Sequence, residues 1–139
     1  MPAEFIDTNI LVYAYDRTAE HKYPRARELV EQLWERDNGI LSTQVLQEFY
    51  VTVTTKIPNP IRPIDARQIV LDLSAWTVVV LEIADILRAG EMAERYRLSF
   101  WGGLILAAAH KEEAAVVWSE DLSHGQRYGE IIVRNPFFS

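Results

Sequence analysis

The chain has 139 residues, 49% of them hydrophobic and 24% charged, the size and balance of a single domain (residues 1–139) that buries one continuous core. It contains no cysteine, which excludes disulfides, thiolate metal ligation and redox chemistry by the protein's own thiols, and makes a reducing compartment the natural home. No basic segment followed by an apolar one opens the sequence, and no run approaches the roughly 18 apolar residues that span a bilayer, so the expectation is a soluble, cytoplasmic protein without membrane contact. The formal net charge of −6 is unexpected for a domain that grips nucleic acid by neutralising many phosphates; an acidic metal site would account for part of it.

Ala3 to Asp7 reads as a buried strand, and the apolar stretch from Ile10 to Tyr15 starts a helix capped by Asp7, Thr8 or Asn9. The first strand-to-helix junction therefore carries a carboxylate, at the edge where open α/β sheets place their chemistry. From about Glu20 to Asp37, Ala26, Leu29, Val30, Leu33 and Trp34 recur at helical spacing, and Asn38-Gly39 supplies a stop signal. Ile40-Leu41 is a short strand. Ser42 or Thr43 caps the next helix, whose core stripe is Val45, Leu46, Phe49, Tyr50 and Val53, with Glu48 off its centre.

Pro58, Pro60 and Pro63 mark a loop, after which Ala66, Ile69, Val70 and Leu73 define another helix. Thr77 to Leu81 reads as a strand, Ile83 to Tyr96 as a helix, and Phe100 to His110 as a second helix entered at Ser99. Ala115 to Trp118 makes a strand that ends at Ser119-Glu120-Asp121, and Ile131 to Val133 a short final one. The alternation predicts a three-layer α/β/α sandwich around a central, mostly parallel sheet. No repeat, low-complexity segment or phosphate-binding glycine loop occurs; Gly102-Gly103 fits no nucleotide-binding spacing.

Asp7 and Asp121 each follow a parallel strand, and adjacent strands lie about 4.8 Å apart, so neighbouring placement brings both acids to one edge. Clustered carboxylates repel unless a proton or a cation intervenes, and oxygen-only ligands favour Mg²⁺ or Mn²⁺ over Zn²⁺. His21, His110 and His124 show no paired ligand spacing, which argues against zinc; His124 remains a candidate phosphate contact. Each acid taken singly also has an ordinary reading, as a helix cap, a surface residue or a turn residue. Basic residues gather at Arg17, His21, Lys22, Arg25 and Arg27 and again at Arg88, Arg95 and Arg97, either as solvated helix faces or as flanks of an RNA path.

Together these segments resemble the PIN-domain ribonucleases, specifically the VapC-like toxins of type II toxin–antitoxin systems, over nearly the whole chain. In that family an Asp after the first strand, a Glu on the third helix, an Asp opening a later helix and an Asp after the fourth strand surround Mg²⁺ or Mn²⁺ and hydrolyse single-stranded RNA. Asp7, Glu48 and Asp121 match the first, second and fourth. Phe100-Trp101-Gly102-Gly103-Leu104-Ile105 matches the third segment, with Gly102 where the Asp stands. The resemblance implies Asp7, Glu48 and Asp121 as metal ligands, oriented by Thr8, Asn9, Thr43 and Ser119. It also implies an RNA substrate, a homodimer, and a cognate antitoxin whose tail covers the cleft; Trp34, Tyr50, Trp76 and Tyr96 are interface candidates, although their helical spacing favours core packing.

Gly102 departs from the pattern. Glycine costs about 1 kcal/mol relative to alanine inside a helix, and an acid in a first turn is favoured by the helix dipole. Three explanations are open: close packing against a neighbouring helix, natural divergence, and a substitution that lets a host survive a lethal nuclease. Activity is expected to be low or absent. The alternative is a non-catalytic PIN-like protein that binds RNA or antitoxin; a response-regulator-like domain ranks last because Lys111 is poorly placed for it.

Overall fold

The computed structural model describes residues 1–138. In chain order the elements are β1 (Glu4–Ile6), α1 (Thr8–Tyr13), α2 (Lys22–Arg36), β2 (Gly39–Ser42), α3 (Thr43–Thr55), α4 (Pro63–Leu73), β3 (Thr77–Val79), α5 (Ile83–Tyr96), α6 (Phe100–Lys111), β4 (Val116–Trp118), β5 (Arg127–Tyr128) and β6 (Ile131–Arg134). They form one six-stranded sheet in the order β3-β2-β1-β4-β6-β5. All pairings are parallel except β5 with β6. With helices on both faces, this is the three-layer α/β/α arrangement expected from the alternation of elements.

The strand order reverses at β1. From β1 the chain lays β2 and β3 to one side and later returns to place β4 and β6 on the other. Such a reversal opens a crevice beyond the carboxyl ends of the two central strands, because their following segments depart in opposite directions. The register pairs Phe5 with Val117 and Ile6 with Trp118, so the segments starting at Asp7 and Ser119 leave the sheet side by side.

Apolar side chains from both layers close over the strands. Phe5, Ile6, Leu41, Val117 and Val133 of the sheet and Ile10, Leu11, Leu33, Phe49, Leu73 and Leu106 of the helices are all fully or almost fully buried. Among the described residues no helix is long and apolar enough to cross a membrane.

Two local details differ from the sequence reading. The second helix ends at Asp37, which takes the left-handed cap conformation (φ 53°), one of the roles a short polar side chain fills when glycine is absent. Gly39 instead opens β2, where an added Cβ would lie 2.4 Å from the Trp76 ring; its smallness seats that indole, which is 7% exposed and meets Trp34 edge-on at 5.5 Å. Trp76 is thus a core residue, the role its spacing favoured. The antiparallel β5 was not anticipated.

Candidate active site

Asp7 sits at the opening of the crevice, buried to 8% exposure. It caps α1: the Thr8 backbone N–H donates to Oδ1 at 2.7 Å. The Ser119 hydroxyl donates to Oδ2 at 2.7 Å. The same Ser119 Oγ accepts from the backbone N–H groups of Asp121 (3.1 Å) and Leu122 (3.2 Å). One buried hydroxyl therefore ties the Asp7 carboxylate to the turn that presents Asp121. Burial pushes the Asp7 carboxyl up to about 6, against the lowering effect of the Ser119 and Thr8 hydrogen bonds, and the negative charges of Asp121 and Glu48 add to the rise.

Glu48 reaches the crevice from α3. Its Oε1 accepts from the Gln44 side-chain amide at 2.7 Å, a pairing one helical turn apart. Gln44 is itself buried, and its Oε1 has no partner among the described residues; Thr8 Oγ1 and Asn9 Oδ1 are orphaned in the same way. Asp7, Thr8, Asn9, Gln44, Glu48, Gly102 and Asp121 all line one cleft of about 730 Å³. Ser119 lies beneath it, and Thr43 starts α3 without lining it.

The donor set suits a hard divalent cation. Carboxylate, amide and hydroxyl oxygens converge, three of them buried with no hydrogen-bond partner, and sulfur and imidazole are absent from the lining. Among the described residues no three acidic or histidine side chains form a ready-made chelate.

Gly102 occupies the third position of α6, its N–H donating to the capping Ser99 hydroxyl at 3.0 Å. A Cβ added there meets only ordinary contacts, the nearest being Leu122 at 3.4 Å. The neighbouring Gly103 is different: its Cβ would fall 2.3 Å from the Ala89 carbonyl oxygen of α5. Close helix packing thus explains Gly103 and does not explain Gly102.

Several of the basic residues singled out in the sequence serve the fold. Lys22 pairs with Glu120, which also accepts from the Tyr13 hydroxyl. Arg25 donates to the Pro136 carbonyl, and Arg27 to that of Ala14. Lys111 bridges Asp85 at 2.9 Å, and His124 Nδ1 accepts from the Asn135 N–H. Arg97 does line the cleft, as does Ser99 at the entry of α6; so do Lys56 and Gln44, two residues the sequence reading passed over. The spacing of Gln44 to Glu48 was the only signal for either of them.

Residues 5–128 match the model of the PIN domain family. The chain belongs to the PIN-domain family. Its fold is similar to that of a toxin–antitoxin complex from Klebsiella pneumoniae, at 15% identity over 97% of this chain and 98% of that one, with a TM-score of 0.71. It is also similar to VapC20 of Mycobacterium tuberculosis, described as a sarcin-ricin-loop-cleaving toxin, at 17% identity over 86% and 90% of the two chains and a TM-score of 0.67. VapBC2 from Rickettsia felis, bound to a promoter DNA fragment, gives 22% identity over 96% and 98%, with a TM-score of 0.63. No curated protein matches the chain by sequence. In this PIN domain the acids at residues 7, 48 and 121 reach one cleft, and the wall at residue 102 is bare.

Proposed function

We propose that this PIN domain is the toxin of a toxin–antitoxin pair, a Mg²⁺-dependent endoribonuclease whose activity is attenuated by Gly102. The observation that carries the reading is the Asp7–Ser119–Asp121 hydrogen-bond relay across β1 and β4, with Glu48 facing it across the same cleft. Asp7, Glu48 and Asp121 would hold the cation, which supplies charge neutralisation for a scissile phosphate and lowers the pKa of a water. Asp7 is the central ligand: its burial makes its charged form costly, so cation binding and its deprotonation favour each other. Gln44 holds Glu48, and Ser119 sets the relative position of Asp7 and Asp121; Thr8 and Asn9 flank them. The chain forms no covalent intermediate in this scheme.

The partners follow from the same reading. The substrate is RNA, and a cognate antitoxin covers the cleft in the cytoplasm. Val80, Ile83, Ile86 and Leu87 stand exposed where α5 begins, apolar surface that suits a homodimer contact. The decisive experiment is RNA cleavage with Mg²⁺ by the chain and by Gly102→Asp. Weak or no cleavage by the former and robust cleavage by the latter, abolished by Asp7→Asn, supports an attenuated nuclease. RNA binding without cleavage by either favours the second reading, suggested by the bare position at Gly102, of a PIN domain that only binds.

A further inference from the structure

We infer that Trp101 is a nucleobase platform, on which the cleft stacks one unpaired base of a single-stranded RNA beside the phosphate to be cut; this rests on the reading above. Trp101 follows the α6 cap and precedes Gly102. It lines the cleft that holds the acids and is 62% exposed, a large aromatic surface left in water beside them. The Phe100 ring packs against it edge-on at 5.6 Å and 70°.

Electrostatics favours such a platform. The floor of the cleft is acidic and the chain carries a net charge of −6, so an RNA strand gains little from the general field and must be gripped locally. Only the rim offers that grip. Arg97, which ends α5 in a left-handed cap conformation (φ 57°), and Lys56, which ends α3, both line the cleft. Neither forms an ion pair among the described residues. Two free cations and one exposed indole reproduce the combination that binds single strands, phosphates to the cations and a base face to the ring. A duplex keeps its bases stacked on one another and offers no free face.

The test is the affinity of the full chain for a short, labelled, single-stranded oligoribonucleotide with Mg²⁺, read by fluorescence anisotropy. Trp101→Ala should weaken binding roughly five- to hundredfold, the range that loss of one base–aromatic stack produces, and Trp101→Phe should recover most of it. An abasic oligonucleotide should bind the unaltered chain about as weakly as the intact one binds Trp101→Ala, and the same sequence as a duplex should compete poorly. Because Trp101 is largely exposed, the variant should keep the thermal midpoint of the parent. Unchanged affinity in Trp101→Ala, or equal binding of abasic and intact strands, overturns the platform. If binding then still falls with Arg97→Ala or Lys56→Ala, the nuclease reading survives without it. If neither the chain nor Gly102→Asp binds or cuts RNA, both fall, and Trp101 is left for a protein ligand.

Discussion

The two walls of the cleft are held by different physics. On the sheet side, Asp7 and the Ser119–Asp121 turn are fixed by strand register, by a backbone bond from the Asp7 N–H to the Trp118 carbonyl at 2.9 Å, and by the Ser119 hydroxyl shared between them. On the helix side, Glu48 is held by a single neighbour, Gln44, and the first turn of α6 presents no acid at all. A position set by register is tied into the hydrogen bonds of the central strands. Position 102 on that wall has room for a side chain, the nearest contact of an added Cβ being Leu122 at 3.4 Å, so it can be refilled while the fold is untouched.

The sharpest way to test that contrast is to refill the helix wall. Gly102→Asp should raise Mg²⁺-dependent RNA cleavage a hundredfold or more, on the order of 3 kcal/mol of barrier, with little change in thermal midpoint because the new Cβ has room. Gly103→Ala should do the reverse: its methyl meets the Ala89 carbonyl at 2.3 Å, and prising α5 from α6 should cost about 2–3 kcal/mol in urea unfolding. Breaking the sheet wall comes next. Ser119→Ala strands one buried and one part-buried N–H group and one carboxylate oxygen, so a loss of about 2 kcal/mol is expected, with the Asp7 carboxyl moving higher still by NMR titration.

Asp7→Asn should act with the opposite sign on stability. The Asp7 carboxyl titrates near 3.8 unfolded and is pushed up to about 6 in the fold, so the folded state holds its proton more tightly and the burial of the charge weighs fully above that value. In metal-free buffer Asp7→Asn should therefore exceed the parent by about 1–2 kcal/mol at neutral pH, the excess shrinking as pH falls through about 6 and vanishing below about 4. Mg²⁺ should stabilise the parent and leave the variant unchanged. A parent that Mg²⁺ does not stabilise would remove the sheet wall's role as a cation ligand.

Much of this arrangement was legible in the residues. The handover from Phe5-Ile6 to a capped helix exposed Asp7, Ser99 announced α6, and the apolar strand before Ser119 pointed to Asp121. What was hidden depended on three-dimensional neighbours. β5 is two residues long and exists only because β6 pairs with it, so no periodicity betrays it. Gln44 reads as one more polar helix residue until its burial beside Glu48 is seen. Gly102 and Gly103 are indistinguishable in sequence; the Ala89 carbonyl alone separates the dispensable one from the one the packing requires. Arg97 joins the cleft only because the corner between α5 and α6 turns it there.

The sheet terminates in very short strands at both borders, three residues in β3 and two in β5. Neither offers enough unpaired backbone to template a further strand from another molecule. Assembly by β-augmentation is thereby discouraged, which leaves the helices and loops as the larger docking surface.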